Sequence, residues 1–285
     1  MTHGSLTPAR YHEAQAQPHR VGPTLQQLLE ADIAASLLPG VPARLILETY
    51  GSAPGNEIAS GKFTSPASSA ALVANAFGPF VTRSAELQPL PGGEAWGWPA
   101  SSVRLEAILR FPWSGGRHPC LDALIETPSA LIGVESKRYE PFRAKAHLAW
   151  PDAYQRPVWG NAMTGYEGVR DAPGVSAFAR LDAPQLVKHA FALRTAVHRD
   201  ERFLGRQPVL LYLYAEPKCW PDGRPVSRVD IKAHRAEVES FAEAVSGDEV
   251  IFRACSYREL LSAWAASSDH FSRAHAGAIA TRFDL

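Results

Sequence analysis

Residues 120–137 read CLDALIETPSALIGVESK, and the fold turns on how this stretch divides. Cys120 to Glu126 and Ala130 to Lys137 are apolar runs of strand length, separated only by Thr127-Pro128-Ser129. So short a spacer predicts an antiparallel hairpin. With Thr127 opposite Ala130, facing positions sum to 257, and Asp122 falls opposite Glu135. Directly opposed residues place their Cβ atoms about 5 Å apart. Glu135 and Lys137 are two apart and share one face of their strand. Two carboxylates and a lysine therefore converge on one point.

Upstream, Val103, Leu105, Ala107, Leu109 and Phe111 alternate with Arg104, Glu106, Ile108 and Arg110, the period of a half-buried strand. Ser65-Pro66 offers a cap and first-turn proline for a helix through Phe77, and Pro23 to Leu37 carries leucines at helical spacing. Pro39 to Gly61 is rich in Gly, Pro and Ser around a short apolar piece, Leu45 to Tyr50. Downstream, residues 138–184 show little periodicity. They are followed by a helix near Pro184 to His198, a strand Pro208 to Ala215, a helix Val229 to Val245, a strand Glu249 to Ala254 and a helix Tyr257 to Phe271. The expected class is α/β, a mixed central sheet flanked by helices. The expected organisation is a polar, disordered tail over 1–22 and one domain over 23–285 with an insertion at 138–184.

Composition bounds the function. The chain has 285 residues, 46% hydrophobic and 20% charged, with 29 basic against 29 acidic side chains, so it has no bulk polycation to coat nucleic acid. A local basic groove remains open. Three cysteines, Cys120, Cys219 and Cys255, share no CxxC spacing, which points away from a disulfide framework or a zinc ribbon and towards a reducing cytoplasm. The start MTHGSLTPARYHEAQAQPHR lacks the apolar stretch of a signal peptide, and no run is long enough to span a membrane.

Like charges as close as Asp122 and Glu135 call for positive compensation. Mg²⁺ supplies it well, because it favours one or two carboxylates plus waters and phosphate oxygens. A bland alternative makes Asp122 an edge residue and Glu135 with Lys137 a surface ion pair. The apolar setting of GVESK, the neighbouring Asp-bearing strand and the register favour the metal site.

The order helix, strand, strand with Asp, strand with ExK, helix, strand resembles the core of the PD-(D/E)xK nuclease superfamily, the restriction-endonuclease-like αβββαβ fold. The match runs from about Ser65 to Ala215, with an extra helix-strand-helix at the C-terminus. SSAALVANAFGPF (68–80), HPCLDALIE (118–126), LIGVESKRYEPF (131–142) and the helix with Gln185 to His189 also resemble a family of bacterial restriction endonucleases in that superfamily. Leu121 stands where proline often precedes the aspartate, a position that supplies no ligand.

The resemblance implies hydrolysis of DNA phosphodiester bonds with Mg²⁺, or Mn²⁺ in its place. Asp122, Glu135 and the backbone carbonyl of Ser136 would hold the ion, and Lys137 would position or help deprotonate the attacking water. Relatives often carry a further acidic residue on the first helix, and none occurs there. Glu106 is the nearer candidate, against an ion pair with Arg104 or Arg110. Gln185 resembles the glutamine of a QxxxY-type motif, with His189 in place of tyrosine, against a plain first-turn residue.

Lys137, Arg138, Arg143, Lys145 and Arg156, with Trp150 and Tyr154 interleaved, face only Glu140 and Asp152. This stretch is the candidate DNA contact, the last four cations binding phosphates and the aromatics stacking bases. Its aromatics could equally form a satellite core. GVSAF (174–178) lacks the second glycine of a nucleophile elbow, GSAPG (51–55) has no lysine or following helix, and His118-Pro119-Cys120 has no PCxxC partner. The leading expectation is a cytoplasmic restriction or defence endonuclease acting on double-stranded DNA. It would pair as a homodimer on a symmetric target and act beside a cognate DNA methyltransferase encoded nearby. A repair or processing nuclease of the same fold, or an idle nucleic-acid-binding relative, are the alternatives.

Overall fold

The computed structural model describes Met1 and residues 24–112, 118–143, 150–172 and 178–285. Apart from Met1, the expected tail over 1–22 lies outside the described residues, as does Lys145. Five strands form one sheet in the order β1-β2-β3-β4-β5: β1 (Ser102–Ile108), β2 (Cys120–Glu126), β3 (Ala130–Lys137), β4 (Gln207–Tyr214) and β5 (Ile251–Ser256). β1, β2 and β3 pair antiparallel, whereas β3, β4 and β5 run parallel. The β2–β3 register is the one read from the turn, with Ala123 opposite Val134 and Glu126 opposite Leu131. Thr127 explains its firmness: its amide donates to the Ala130 carbonyl at 3.0 Å and its hydroxyl accepts the Ala130 amide at 2.9 Å.

Helices cover both faces of this mixed, open sheet. One apolar cluster packs α1 (Leu25–Ala35), α2 (Ala43–Ser52), α3 (Ser69–Phe77), α7 (Tyr257–Ala265) and α8 (His270–Phe283) against Val103, Ala123, Ile132 and Leu211. The other packs α4 (Thr164–Asp171), α5 (Ala183–Arg199) and α6 (Arg228–Ala244) against Leu124, Leu131 and Leu210. α5 lies close on the sheet because Gly133 leaves room for it. A Cβ at Gly133 would stand 2.9 Å from Leu121 Cδ1 and 3.0 Å from Leu193 Cδ1. None of the described helices is long and apolar enough to cross a membrane.

Several local expectations change. Leu45 to Tyr50 belongs to a helix, α2, whose Ile46, Leu47 and Tyr50 are buried. The cap of α3 is Ser68, which accepts the Ala71 amide, so the helix starts later than Ser65-Pro66 suggests. The C-terminal region holds two helices after β5, because Asp269 accepts the Ser272 amide and starts α8 afresh.

The insertion contributes core. Tyr154, Trp159, Met163 and Tyr166 are buried in the second cluster, with Trp159 stacked on Phe191 of α5 at 4.1 Å between ring centroids. Such a pair contributes roughly 0.5–1.5 kcal/mol beyond its buried area. Tyr154, one of the two aromatics expected to stack bases, is therefore structural, and the other, Trp150, is partly buried against the same cluster.

β1 departs from a simple half-buried strand. Val103 and Leu105 enter the first cluster, whereas Ala107, Leu109 and Phe111 enter the second. The change of face falls at Glu106, whose φ of 49° is left-handed, a rare conformation for a non-glycine residue. Across from it, Leu121 joins the second cluster and Ala123 the first, so β2 changes face at Asp122. Flanking pairs Leu105 with Ala123 and Ala107 with Leu121 stay in register. This strained spot marks one wall of the candidate site.

Candidate active site

Glu106 and Asp122 lie between the flanking pairs Leu105–Ala123 and Ala107–Leu121, Glu135 follows Val134, the partner of Ala123, and Tyr212 of β4 is the partner of Glu135. Asp122 reaches over to β3, where its Oδ2 accepts the Ser136 amide at 2.6 Å. Its Oδ1 makes no hydrogen bond among the described residues. Glu135 is 1% exposed, and Lys137 donates to its Oε1. The same ammonium donates to Oε1 of Gln185 at 2.9 Å. Gln185 is held in the first turn of α5 by Asp182, whose carboxylate accepts the Gln185 amide at 3.1 Å. One turn further on, His189 Nδ1 lies 3.2 Å from Glu135 Oε2. The two atoms form a close ion contact, and neither Glu135 Oε2 nor His189 Nδ1 has a partner in hydrogen-bonding geometry.

From the opposite face, the Ser136 hydroxyl lies 2.8 Å from the Tyr257 hydroxyl, which locks the middle residue of the ExK tripeptide to α7. Glu140 closes the chain after Lys137. Its Oε2 accepts the amides of Arg138 and Tyr139 at 2.7 and 3.0 Å, and its Oε1 accepts the Ser69 hydroxyl at 2.6 Å.

The electrostatics are uneven. Burial and then the neighbouring Glu135 push the Asp122 carboxyl well above the usual carboxylate range. Burial also works to raise Glu135, but Lys137 and His189 outweigh it and hold the carboxyl down at about 2. Lys137 is raised above its ordinary value because Glu135 and Asp122 overcome the desolvation that would lower it. Burial lifts Glu106 to about 7, although the Cys120 thiol donates to its Oε2 at 3.5 Å. Glu135 is thus held ionised against Lys137, while Asp122 and Glu106 are both shifted towards their protonated forms.

Among the described residues, no group of three His, Cys, Asp or Glu is placed to hold a metal ion. The expected acidic donors, Asp122 and Glu135, therefore gain no third partner among the described residues. A two-carboxylate set with an oxygen lacking a hydrogen bond, Glu135 Oε2, fits Mg²⁺, which fills its shell with waters and substrate oxygens. It does not fit a zinc cage.

The structure thus brings together Asp122, Glu135, Ser136, Lys137 and Gln185. Of the two arginines considered as partners for Glu106, Arg104 pairs instead with Glu126 at 3.1 Å. The DNA-contact set needs correction. Arg138 is 7% exposed and spends its guanidinium on the carbonyls of Pro66 (2.5 Å) and Phe283 (3.0 Å), so it ties α8 to the segment before α3 and is not a surface phosphate ligand. Arg143 and Arg156 are exposed. Cys120 as partner of Glu106 escaped the sequence reading, because its thiol meets Glu106 only across the β1–β2 pair.

Comparison of the chain with known families, with curated proteins and with solved structures finds no match.

Proposed function

We propose that the protein is a Mg²⁺-dependent endonuclease that hydrolyses DNA phosphodiester bonds, of the restriction or defence type, with a restriction-endonuclease-like core. The observation that carries this reading is the position of the Lys137 ammonium, bonded to both Glu135 and Gln185 beside Asp122. Asp122, Glu135 and the carbonyl of Ser136 would hold the ion, and Glu135 Oε2 and Asp122 Oδ1 are the carboxylate oxygens left for it. When bound, Mg²⁺ supplies a Lewis acid for the phosphate and lowers the pKa of a coordinated water.

The chain's own residues do the remaining work. Lys137 is cationic throughout the physiological range and offsets charge that builds on the phosphate oxygens. Gln185 and Glu135 fix where that ammonium sits. Burial and Glu135 disfavour the ionised form of Asp122, and a cation of charge two beside it would favour that form. The test is cleavage of supercoiled plasmid DNA with Mg²⁺, with chelator and with the Asp122→Asn protein. Nicking or linearisation that requires both the metal and Asp122 supports the reading, and metal-independent cleavage contradicts it.

A further inference from the structure

β4 runs parallel to β3, with Tyr214 beside Lys137, so the chain leaving β4 emerges at the end of the sheet where the candidate site lies. There it folds into a small hairpin, Lys218 to Val226. Val226 donates to the Lys218 carbonyl at 2.9 Å and Trp220 to the Arg224 carbonyl at 2.7 Å, around an isolated bridge between Cys219 and Pro225. Asp222-Gly223 forms the tip, and Gly223 takes φ 84° with nothing within 4 Å of a would-be Cβ. Pro217, Pro221 and Pro225 stiffen the segment.

The hairpin is tied to the active-site strand. Tyr139, two residues past Lys137, donates its hydroxyl to the Cys219 carbonyl at 3.0 Å and stacks on Trp220 at 5.1 Å. Val226 joins Tyr139 and Phe142 in a third small core, with Ile231 of α6 packed against it. Trp220 is therefore a strut, one face on Tyr139 and Arg143 5.7 Å over its ring.

The outward charges are mostly positive. Lys218, Arg224, Arg228 and Lys232 are all exposed. Glu216 is taken by Arg235 of α6, and Asp230 by Arg180 at 2.6 Å. Lys218, Arg228 and Lys232 have no ion pair among the described residues. Arg224 is 74% exposed, with its Nε held by Asp222 at 2.7 Å.

We infer that the hairpin Lys218–Val226, with the first turns of α6, is the surface that grips duplex DNA and delivers it to the candidate site. Arg224 at the tip enters a groove, and Lys218 and Arg228 flank it on the phosphates. The inference rests on the proposed nuclease reading and relocates its DNA contact from residues 138–156 to this hairpin. Cations that neutralise phosphates set the salt dependence of binding, and removing each such cation lowers the log–log slope by about one unit.

The test is fluorescence anisotropy with a labelled random-sequence duplex over a range of NaCl concentrations, on the full chain carrying Asp122→Asn to prevent cleavage. The combined variant Lys218→Gln, Arg224→Gln, Arg228→Gln changes only exposed side chains. It is expected to bind at least 10-fold more weakly, with a slope about 2–3 smaller. The control Arg202→Gln, at the opposite end of the sheet in the turn before β4, should bind like the parent. Parent-like affinity and slope in the triple variant overturn the hairpin assignment and leave the nuclease reading standing. A wild-type chain that neither binds nor cuts duplex DNA overturns both.

Discussion

Lys137 on the last residue of β3 and Gln185 in the first turn of α5 are joined by a hydrogen bond of 2.9 Å. The bond spans 48 residues of chain and fixes an ammonium that would otherwise be free to swing about the Glu135 carboxylate. Gln185 acts through Lys137 and is a positioning residue. Gln185→Met, which removes the oxygen and keeps the bulk, is expected to lower kcat about 10-fold with KM for DNA changed less than 2-fold, while Gln185→Glu restores most of the rate. A loss expressed mainly in KM, or shared equally by both variants, contradicts the positioning role.

The close seat of α5 on Gly133 sets the distance between those two residues. Gly133→Ala forces a Cβ against Leu121 and Leu193 and is expected to cost about 1–3 kcal/mol in urea unfolding. Cleavage should fall as well, because α5 carries Gln185 and His189. A variant as stable and as active as wild type would show that the helix has slack.

Glu106 gives a pH signature. Its folded carboxyl titrates near 7 against an ordinary value of 4.5, so the folded state holds the proton more tightly than the unfolded chain. The resulting stability is complete below about pH 4.5 and is lost as pH rises through about 7. Glu106→Gln removes that loss. Without divalent metal, the variant should match wild type near pH 4 and exceed it by about 1–3 kcal/mol near pH 8.5. An equal difference at both pH values contradicts the assignment.

Arg138 separates structure from binding. Arg138→Ala leaves the carbonyls of Pro66 and Phe283 without their donor and should destabilise the fold by about 2–4 kcal/mol. At a temperature where the variant is folded, its affinity for DNA should change by less than 2-fold. A large loss of affinity with no loss of stability would return Arg138 to the DNA-contact set.

The hairpin was legible because a three-residue spacer leaves little choice of register, and a shift of one position would exchange the faces of β3 and carry Lys137 away from Gln185. That register carried the meeting of Asp122, Glu135 and Lys137. Gln185 was reachable only through family resemblance, since nothing local in Pro184-Gln185-Leu186 signals a partner on β3. The change of face at Glu106 left no trace in the sequence, because burial alternates without a break while its direction reverses. The basic stretch after Lys137 misled for a related reason. Charge shows what a side chain carries, but the burial of Arg138 is set by Phe283 and Pro66, remote in sequence. The prong at 218–226 did have a signal, the turn Pro221-Asp222-Gly223 flanked by Trp220 and Arg224, which charge counting across the insertion overshadowed.

The central claim is that Asp122, Glu135 and Lys137 form a metal-dependent phosphodiesterase site, and single-turnover cleavage of duplex DNA tests it most directly. Wild type, Asp122→Asn and Lys137→Ala would be compared at saturating enzyme in Mg²⁺ and in EDTA, with circular dichroism to verify folding. The account predicts cleavage by wild type in Mg²⁺ alone and a fall of at least about 100-fold in both variants. Cleavage by folded Lys137→Ala at the wild-type rate, or by wild type in EDTA, would contradict it.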